Sequence, residues 1–318
     1  MRKSASEAQI KGRLSSAGLP RDCSLRINSK GKKVRLDDKS PRALVDYFDV
    51  IKAVSFVPSD LRLIDGPPEG RRDFLDRATF TLHPEYLNEV RIYRAALAQK
   101  NALLREAKAR GRRPDPSLLE TWEEGLIEAG TRLIQRRTDF LSVFAPVFRE
   151  VHEDVTGAAK GHAEFRYKGC IGPESLAGGS EGIAEGLRTK MRAAANVEAS
   201  RGFCSVGPHR DDWDLHVGGE ALRRFGSQGQ VRSAALALRL AQMVLAQRGS
   251  GVCPLFLLDD VSSELDAARN KHLMDLVQSL PTQVFITTTD RANLRIDGGA
   301  TSSWRIRSGT LEFTGENP

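Results

Sequence analysis

The sequence is poor in long apolar runs and in cysteine, and it shows no internal repeat. No stretch of eighteen apolar residues occurs in its 318 positions, so no transmembrane helix is expected. The opening Met1-Arg-Lys-Ser-Ala-Ser-Glu is polar and lacks an apolar centre, so it does not read as a secretory signal. The four cysteines, Cys23, Cys170, Cys204 and Cys253, are scattered without Cys-x-x-Cys spacing. That pattern disfavours both a zinc site and a disulfide framework in a chain this long. A cytoplasmic protein with no membrane association is the expectation.

What is present is an ordinary globular composition of 40% hydrophobic and 28% charged residues, long enough for a large core and two lobes. The net charge is +7, and most of it lies in one place. Residues 1–65 hold 14 Lys and Arg against 8 Asp and Glu, whereas residues 201–318 hold 13 of each. A polyanionic partner such as nucleic acid is one reading of that excess, and a solvated basic face is the other.

Along the chain, Cys23 to Ser29 and Lys33 to Leu36 alternate apolar and polar residues around the Ser29-Lys-Gly-Lys turn, which predicts a β-hairpin. The first twenty residues read as a frayed tail. Ile51 to Val57 reads as a third strand, stopped by Pro58. Gly66-Pro-Pro-Glu-Gly70 marks a boundary. Beyond it Tyr86, Val90, Tyr93, Leu97 and Leu104 form one heptad seam, interrupted by Lys100. Leu119, Trp122, Leu126, Ala129, Leu133 and Phe140 form a second. Two such stripes joined by a Pro-rich turn predict an antiparallel helical hairpin, with Trp122 in its core. Lys168 to Gly186, rich in Gly, Ser and Glu, reads as loop, and Leu187 to Asn196 as a short helix. Trp213 to Val217 reads as a strand after the turn Gly207-Pro-His-Arg-Asp-Asp212. His209 beside two aspartates reads as a structural hydrogen-bonding group, with catalysis as the alternative.

The most informative stretch runs from Gly226 to Asp266. Ser227-Gln-Gly-Gln230 opens an apolar helix expected to stop near Gly249, and Ser227 with Gln230 matches a capping box. A well-capped helix would need nothing more. Gly229, the outward N–H groups of the first turn and Arg232 also suit an anion there. Val252 to Leu258 is an apolar run of the kind that a strand covered on both faces shows, and it ends in Asp259-Asp260. Carboxylates at the end of such a strand lie at the ligand crevice of an open α/β sheet. Two ionised neighbours would repel, so the pair argues for a cation. Gln283 to Asp290 reads as the next parallel strand, with a helix between.

Taken together, Phe56-Val-Pro-Ser-Asp-Leu, Arg71-Arg-Asp-Phe-Leu-Asp, Gly207-Pro-His-Arg-Asp-Asp, Ser227-Gln-Gly-Gln and Leu257-Leu-Asp-Asp-Val-Ser-Ser-Glu-Leu-Asp266 resemble, in order, the RecF family. These are bacterial recombination mediators among the ABC-type ATPases, related to SMC proteins. The resemblance covers residue 23 to the end. It implies an α/β fold: an ABC-type ATPase lobe, its P-loop-type sheet lacking N-terminal strands, plus a helical hairpin lobe. Residues 1–65 and 201–318 would form the ATPase lobe and 66–200 the helical one. It further implies ATP and Mg²⁺ as cofactors, an ATP-dependent homodimer, binding to DNA at gaps, and work with RecO, RecR and RecA. By the same resemblance Asp259 would hold Mg²⁺ and Asp260 would activate water. Ser227, Gln228, Gly229 and Gln230 would contact the γ-phosphate held by the other subunit. Ser262, Ser263 and Asp266 would form the interface loop, and Thr289 would occupy the switch position.

One departure stands out. The phosphate loop G-x-x-x-x-G-K-[ST] is absent; Gly31-Lys32, the single Gly-Lys pair, is followed by Lys33. The expectation is a chain missing its first strand, phosphate loop and first helix through a misplaced start or truncated gene. A shortened paralogue is the alternative, and an in-frame loop upstream of Met1 would decide between them. A non-enzymatic DNA- or partner-binding remnant is the competing function, and the short helical insertion disfavours a long-coiled SMC relative. Without the loop's N–H cradle and lysine, most β- and γ-phosphate contacts vanish. The 318-residue chain is therefore expected to bind ATP weakly and to hydrolyse it negligibly. Calorimetric titration that finds tight, Mg²⁺-dependent ATP binding contradicts this.

Overall fold

The computed structural model describes residues 6–16, 18–41, 50, 52–158, 162–251, 253–260, 267–289 and 301–317. The chain opens with β1 (Glu7–Ser16), β2 (Leu19–Asn28) and β3 (Gly31–Leu36). They form one antiparallel sheet, with Ile10 opposite Leu25 and Leu25 opposite Val34. The expected hairpin is β2–β3. The expected frayed tail is instead a ten-residue strand, because Ile10 and Leu14 share the face of Cys23, Leu25, Val34 and Leu36.

After β4 (Ala53–Phe56), a 3₁₀ turn at Pro58–Leu61 leads into the short α1 (Arg62–Asp65). Then follow α2 (Pro68–Leu82), α3 (Tyr86–Ala109) and α4 (Pro116–Thr156). Asp115 caps α4 by accepting from the N–H groups of Ser117 and Leu118. Gly157 ends it in the left-handed conformation. At 41 residues, α4 is about 60 Å long. Both predicted seams are realised. Tyr86, Val90, Tyr93 and Leu104 are buried on α3, and Leu126, Ala129, Leu133 and Phe140 on α4. Trp122 is half-buried against the same core.

β5 (Ala163–Lys168), which the sequence reading missed, precedes α5 (Pro173–Ala177) and α6 (Gly179–Arg201). The stretch read as loop is thus largely helical, and α6 packs as a third long helix beside the hairpin. The glycines misled because they serve close packing rather than turns. A Cβ on Gly182 would lie 2.5 Å from the Ser175 carbonyl oxygen, and one on Gly186 would lie 2.6 Å from Ser175 Oγ.

β6 (Asp212–Val217) pairs with β5 and with β7 (Glu220–Ala221). The one-turn α7 (Leu222–Phe225) leads to α8 (Gln228–Ser250). α8 closes at Gly251, φ 67°, two residues beyond the predicted stop. β8 (Leu255–Asp259), α9 (Ala267–Ser279) and β9 (Val284–Thr287) complete the predicted βαβ unit. β10 (Thr301–Arg307) and β11 (Thr310–Asn317) form a separate hairpin. β8 is the middle of a parallel sheet ordered β4-β8-β9. The expectation that both its faces are covered fails. Phe256 and Leu258 are buried, but Leu257 is 39% exposed and Phe285 on β9 is 50% exposed. Apolar content alone does not report which face a neighbour covers.

Two apolar cores result. One gathers Val54, Phe56, Phe74, Trp213, the α8 body and the C-terminal half of α4. The other gathers α3, α6 and the N-terminal half of α4. Aromatic rings dominate the first: Phe165 stacks on Trp213 with centroids 4.8 Å apart, and Phe140 on Phe144 at 5.0 Å. Trp213 Nε1 donates to the Arg71 carbonyl at 2.9 Å, so its one polar atom is satisfied.

Lys100, the interruption in the α3 seam, is wholly buried. Its ammonium lies 2.8 Å from both Glu123 on α4 and Glu198 on α6. Burial works to lower its pKa, yet Cys204 and the two carboxylates together outweigh that and raise it. It therefore stays charged and ties the three helices together. Replacing Lys100 with Met strands the 1%-exposed Glu198 carboxylate and should cost about 3–5 kcal/mol. Urea unfolding reads this directly: K100M lowers the midpoint, and K100M combined with E198Q recovers part of the loss.

Candidate functional site

Residue by residue, the capping box forms at the start of α8. Ser227 Oγ accepts from the Gln230 N–H at 3.2 Å, and Gln230 Oε1 accepts from the Ser227 N–H at 2.9 Å. Ser227 and Gln228 are exposed, and Gly229 and Gln230 are half-buried. The box satisfies one first-turn donor. Gln228 and Gly229 carry donors that helix geometry leaves without intrahelical partners. Behind this turn Ala234 to Leu238 are completely buried, so the helix start is held by its packed body. The turn can therefore offer N–H groups and the positive end of a dipole to an anion.

The carboxylates stand at the end of the central strand. Asp259 is the last residue of β8 and lies in register with Thr287 on β9. Thr287 Oγ1 donates to Asp259 Oδ1 at 2.5 Å and accepts from the Asp260 N–H at 3.1 Å. The Asp260 N–H also reaches the Thr287 carbonyl at 3.1 Å. Asp260 has φ 50°, in the left-handed region. One hydroxyl thus holds the Asp259 carboxylate and the Asp260 backbone N–H. Sequence reading passed over Thr287 in favour of Thr289, because the deciding fact is strand register and a single chain does not display it. Thr289 is exposed two residues past β9. Ser262, Ser263 and Asp266 lie outside the described residues. The capped helix start and the carboxylate pair have separate frames, one in α8 and the other in β8–β9.

Among the described residues no group of three or more His, Cys, Asp or Glu side chains could hold a metal ion. The Asp259–Asp260 pair supplies hard oxygen donors of the kind Mg²⁺ accepts, with waters and phosphate oxygens completing its shell. The donor set fits Mg²⁺ and the α8 start fits a phosphate. The cis phosphate loop has no counterpart in the sequence.

Gly207-Pro-His-Arg-Asp-Asp212 does something different: it is a clasp. A Cβ on Gly207, φ 132°, would sit 2.2 Å from Tyr93 Oη, so only glycine fits there. Buried Asp211 accepts from Tyr167 Oη, from the Cys170 N–H at 2.8 Å and from Arg137 Nη1 at 3.3 Å. Arg137 also donates to Asp76 at 2.8 Å, to Tyr86 Oη at 2.9 Å and to the Pro208 carbonyl at 2.8 Å. Asp212 pairs with buried Arg71 at 2.5 Å. Burial first, then the Asp211 charge, raises the Tyr167 pKa well above its ordinary value, so it remains a neutral donor.

His209 belongs to this clasp. Its Nε2 faces the Cys204 carbonyl at 3.2 Å and its Nδ1 faces Tyr93 Oη at 2.6 Å. A carbonyl only accepts, so Nε2 carries the proton and Nδ1 accepts from the tyrosine. Burial lowers its pKa from 6.5 to about 4. Both nitrogens are engaged within the protein, which matches the structural reading of this residue. A cleft of about 410 Å³ beside it is lined by Glu69, Arg72, Asp73, Tyr93, Arg94 and His209. Its acids and bases alternate, so it offers no single charge to recruit an ion.

The β4-β8-β9 sheet, the capped α8 and the three-helix lobe define an α/β, ABC-type ATPase fold with a helical part. No family model matches the chain. It is 39% identical over 308 residues to the DNA replication and repair protein RecF of Geobacter sulfurreducens, covering 96% of this chain and 82% of that one. It is 36% identical over 289 residues to the RecF of Myxococcus xanthus, covering 91% and 75%. A solved structure of the recombination mediator RecF with ATPrS, in the RecFOR pathway, superposes with a TM-score of 0.84 at 25% identity, covering 98% of this chain and 81% of that one. The chain belongs to the RecF family of DNA replication and repair proteins.

The His209 pKa carries a stability consequence. A group held neutral by a depressed folded pKa is protonated first in the unfolded chain. Its contribution is complete above about pH 6.5 and disappears as the pH falls through about 4. His209→Gln should flatten stability against pH across that window, removing a slope worth on the order of 2–3 kcal/mol. Urea midpoints at pH 7.0, 5.5 and 4.5 check it; an unchanged slope in the variant contradicts it.

Proposed function

We propose that this chain is a DNA-repair mediator built on an ABC-type ATPase scaffold, carrying the metal-binding and trans-acting halves of a nucleotide site. Residues 1–65 and 201–318 form its ATPase lobe, and residues 66–200 its helical lobe. The observation that carries the reading is the Asp259–Asp260 pair, aligned by Thr287 at the C-terminal end of a parallel strand. In this reading Asp259 holds Mg²⁺, and Asp260 orients and deprotonates a water. The Ser227–Gln230 turn meets the γ-phosphate of a nucleotide held by a second subunit that carries the phosphate loop. Asp266 lies at the interface between the copies and Thr289 beside the reacting phosphate. Exposed Phe225, 67% accessible next to that turn, suits a face that another subunit covers. Bound Mg²⁺ would supply charge neutralisation at the phosphates.

DNA is the polymer acted on, and RecO, RecR and RecA are the partners the family membership supports, in a cytoplasmic setting. The related ATP-bound RecF structure makes ATP the nucleotide of choice. Because the sequence has no phosphate loop, turnover by these 318 residues alone is slow or nil, and DNA or partner binding is what remains. The competing reading, a binding remnant without catalysis, shares the scaffold and differs in whether the carboxylates still hold a cation.

Mn²⁺ in place of Mg²⁺ tests that point by water proton relaxation. Wild type should show one weak site, Asp259→Asn should abolish it, and Thr287→Val should weaken it about tenfold through loss of the aligning hydroxyl. Identical titrations for all three proteins remove the metal role and leave the remnant.

A further inference from the structure

We propose that the polar face of the β1–β2–β3 sheet is the surface that grips duplex DNA, by its phosphates and without reading sequence. This rests on the DNA-repair reading above and gives that reading a location.

Strand alternation sorts the side chains of this sheet onto two faces. Residues 7, 9, 11, 13 and 15 of β1 share one face, and the antiparallel register sets Arg26 beside Gln9 and Ser24 beside Lys11. On the far side Lys33 pairs with Arg26, and Arg35 with Ser24. Two rows therefore run across the sheet, Gln9–Arg26–Lys33 and Lys11–Ser24–Arg35. They contain four cations and no acid. Lys11, Arg26, Lys33 and Arg35 are all exposed. Glu7 engages Arg26 at 3.2 Å from one flank, and Asp22 engages Arg13 at 2.8 Å on the other. Lys11, Lys33 and Arg35 make no ion pair among the described residues.

The opposite face carries Ile10, Leu14, Cys23, Leu25, Val34 and Leu36 together with Arg21 and Lys32, and its Cys23 and Leu36 are buried. The four cations of the two rows share the other face and are all exposed. Strands about 4.8 Å apart, with same-face residues about 6.8 Å apart along each, put the four cations in a patch about 10 Å across. Duplex DNA carries one phosphate charge per about 1.7 Å of axis, so the length spanned by such a patch holds about six charges over both strands. No aromatic residue occurs in Glu7–Ser16, Leu19–Asn28 or Gly31–Leu36. Single-strand surfaces stack bases on aromatic rings. A flat basic sheet without them suits the regular backbone of a duplex. This face also accounts for a physical role of the N-terminal charge excess, which the nucleotide site does not use.

The test uses the full 318-residue chain and a fluorescent 30-base-pair duplex of arbitrary sequence. Anisotropy titrations are run across a KCl series, with and without ATP and Mg²⁺. Lys11→Gln, Lys33→Gln and Arg35→Gln are combined in one variant. Its affinity at low salt should fall at least tenfold. The slope of log K against log salt should shrink by about 2.7, the value for three lost phosphate contacts. Circular dichroism and the melting temperature should not change, since these side chains are exposed. A matched variant, Arg110→Gln with Arg112→Gln and Arg113→Gln, removes the same charge at the α3–α4 turn and should keep the wild-type slope. Equal losses in the two variants would reduce the effect to net charge and overturn the assignment. So would an unchanged slope in the sheet variant, or a preference of the wild type for an unpaired 30-mer. Wild type that fails to bind duplex at any salt concentration overturns the DNA-repair reading itself.

Discussion

The buried guanidinium of Arg137 is the constraint on which the rest of the structure depends. It sits on α4, the helix that runs through both apolar cores, at the point where one core gives way to the other. Five donors in a fixed plane must all be met when a guanidinium leaves water. Asp76 from α2, Tyr86 from α3 and the Pro208–Asp211 segment accept four hydrogen bonds from it. Burial alone would lower the Arg137 pKa, but the surrounding tyrosines and aspartates outweigh it and raise it well above the ordinary value. The charge is therefore permanent. Each partner comes from a different segment, so the network specifies how α2, α3, α4 and the turn before β6 meet. Arg71 with Asp212, one residue further along, carries the same clasp into the aromatic core around Trp213.

That clasp positions the candidate site indirectly. β6 leads through α7 to the capped start of α8, and the α8 body packs against β4 of the sheet that carries Asp259. The two halves of the site are local structures, a helix cap and a strand end, on elements whose mutual placement is a property of the core. Neither half has the N–H cradle that would hold a nucleotide in cis. In the proposed reading these parts serve a nucleotide held by a partner that carries the phosphate loop, or position a cation, without binding ATP tightly by themselves. The exposed row of Leu257 and Phe285 lies on the face of the sheet that also carries Asp259 and Thr287.

Much of this was legible in the residues. The heptad seams on α3 and α4, the Ser227–Gln230 box and the β8–α9–β9 unit follow from periodicity and capping chemistry, which are local. What failed was non-local. β1 looked like a tail because its apolar face makes sense only opposite Leu25. Lys168 to Gly186 looked like loop because close packing against Ser175 and flexible turns call for the same residue, glycine. Thr287 was missed because only strand register brings it to Asp259. Lys100 looked like a flaw in a seam, yet Glu198, almost one hundred positions away, makes it a core contact. His209 was read correctly as structural, since its partners Tyr93 and Cys204 occupy both nitrogens.

In the proposed reading, these 318 residues hold the trans-acting and metal-binding parts of a nucleotide site but cannot assemble it by themselves. Sedimentation velocity of the purified chain with and without ATP and Mg²⁺ tests this most directly. The account predicts that the mass stays at that of one 35.0 kDa chain in both conditions. An ATP-dependent doubling of that mass would show a complete site formed without a phosphate loop and would contradict it.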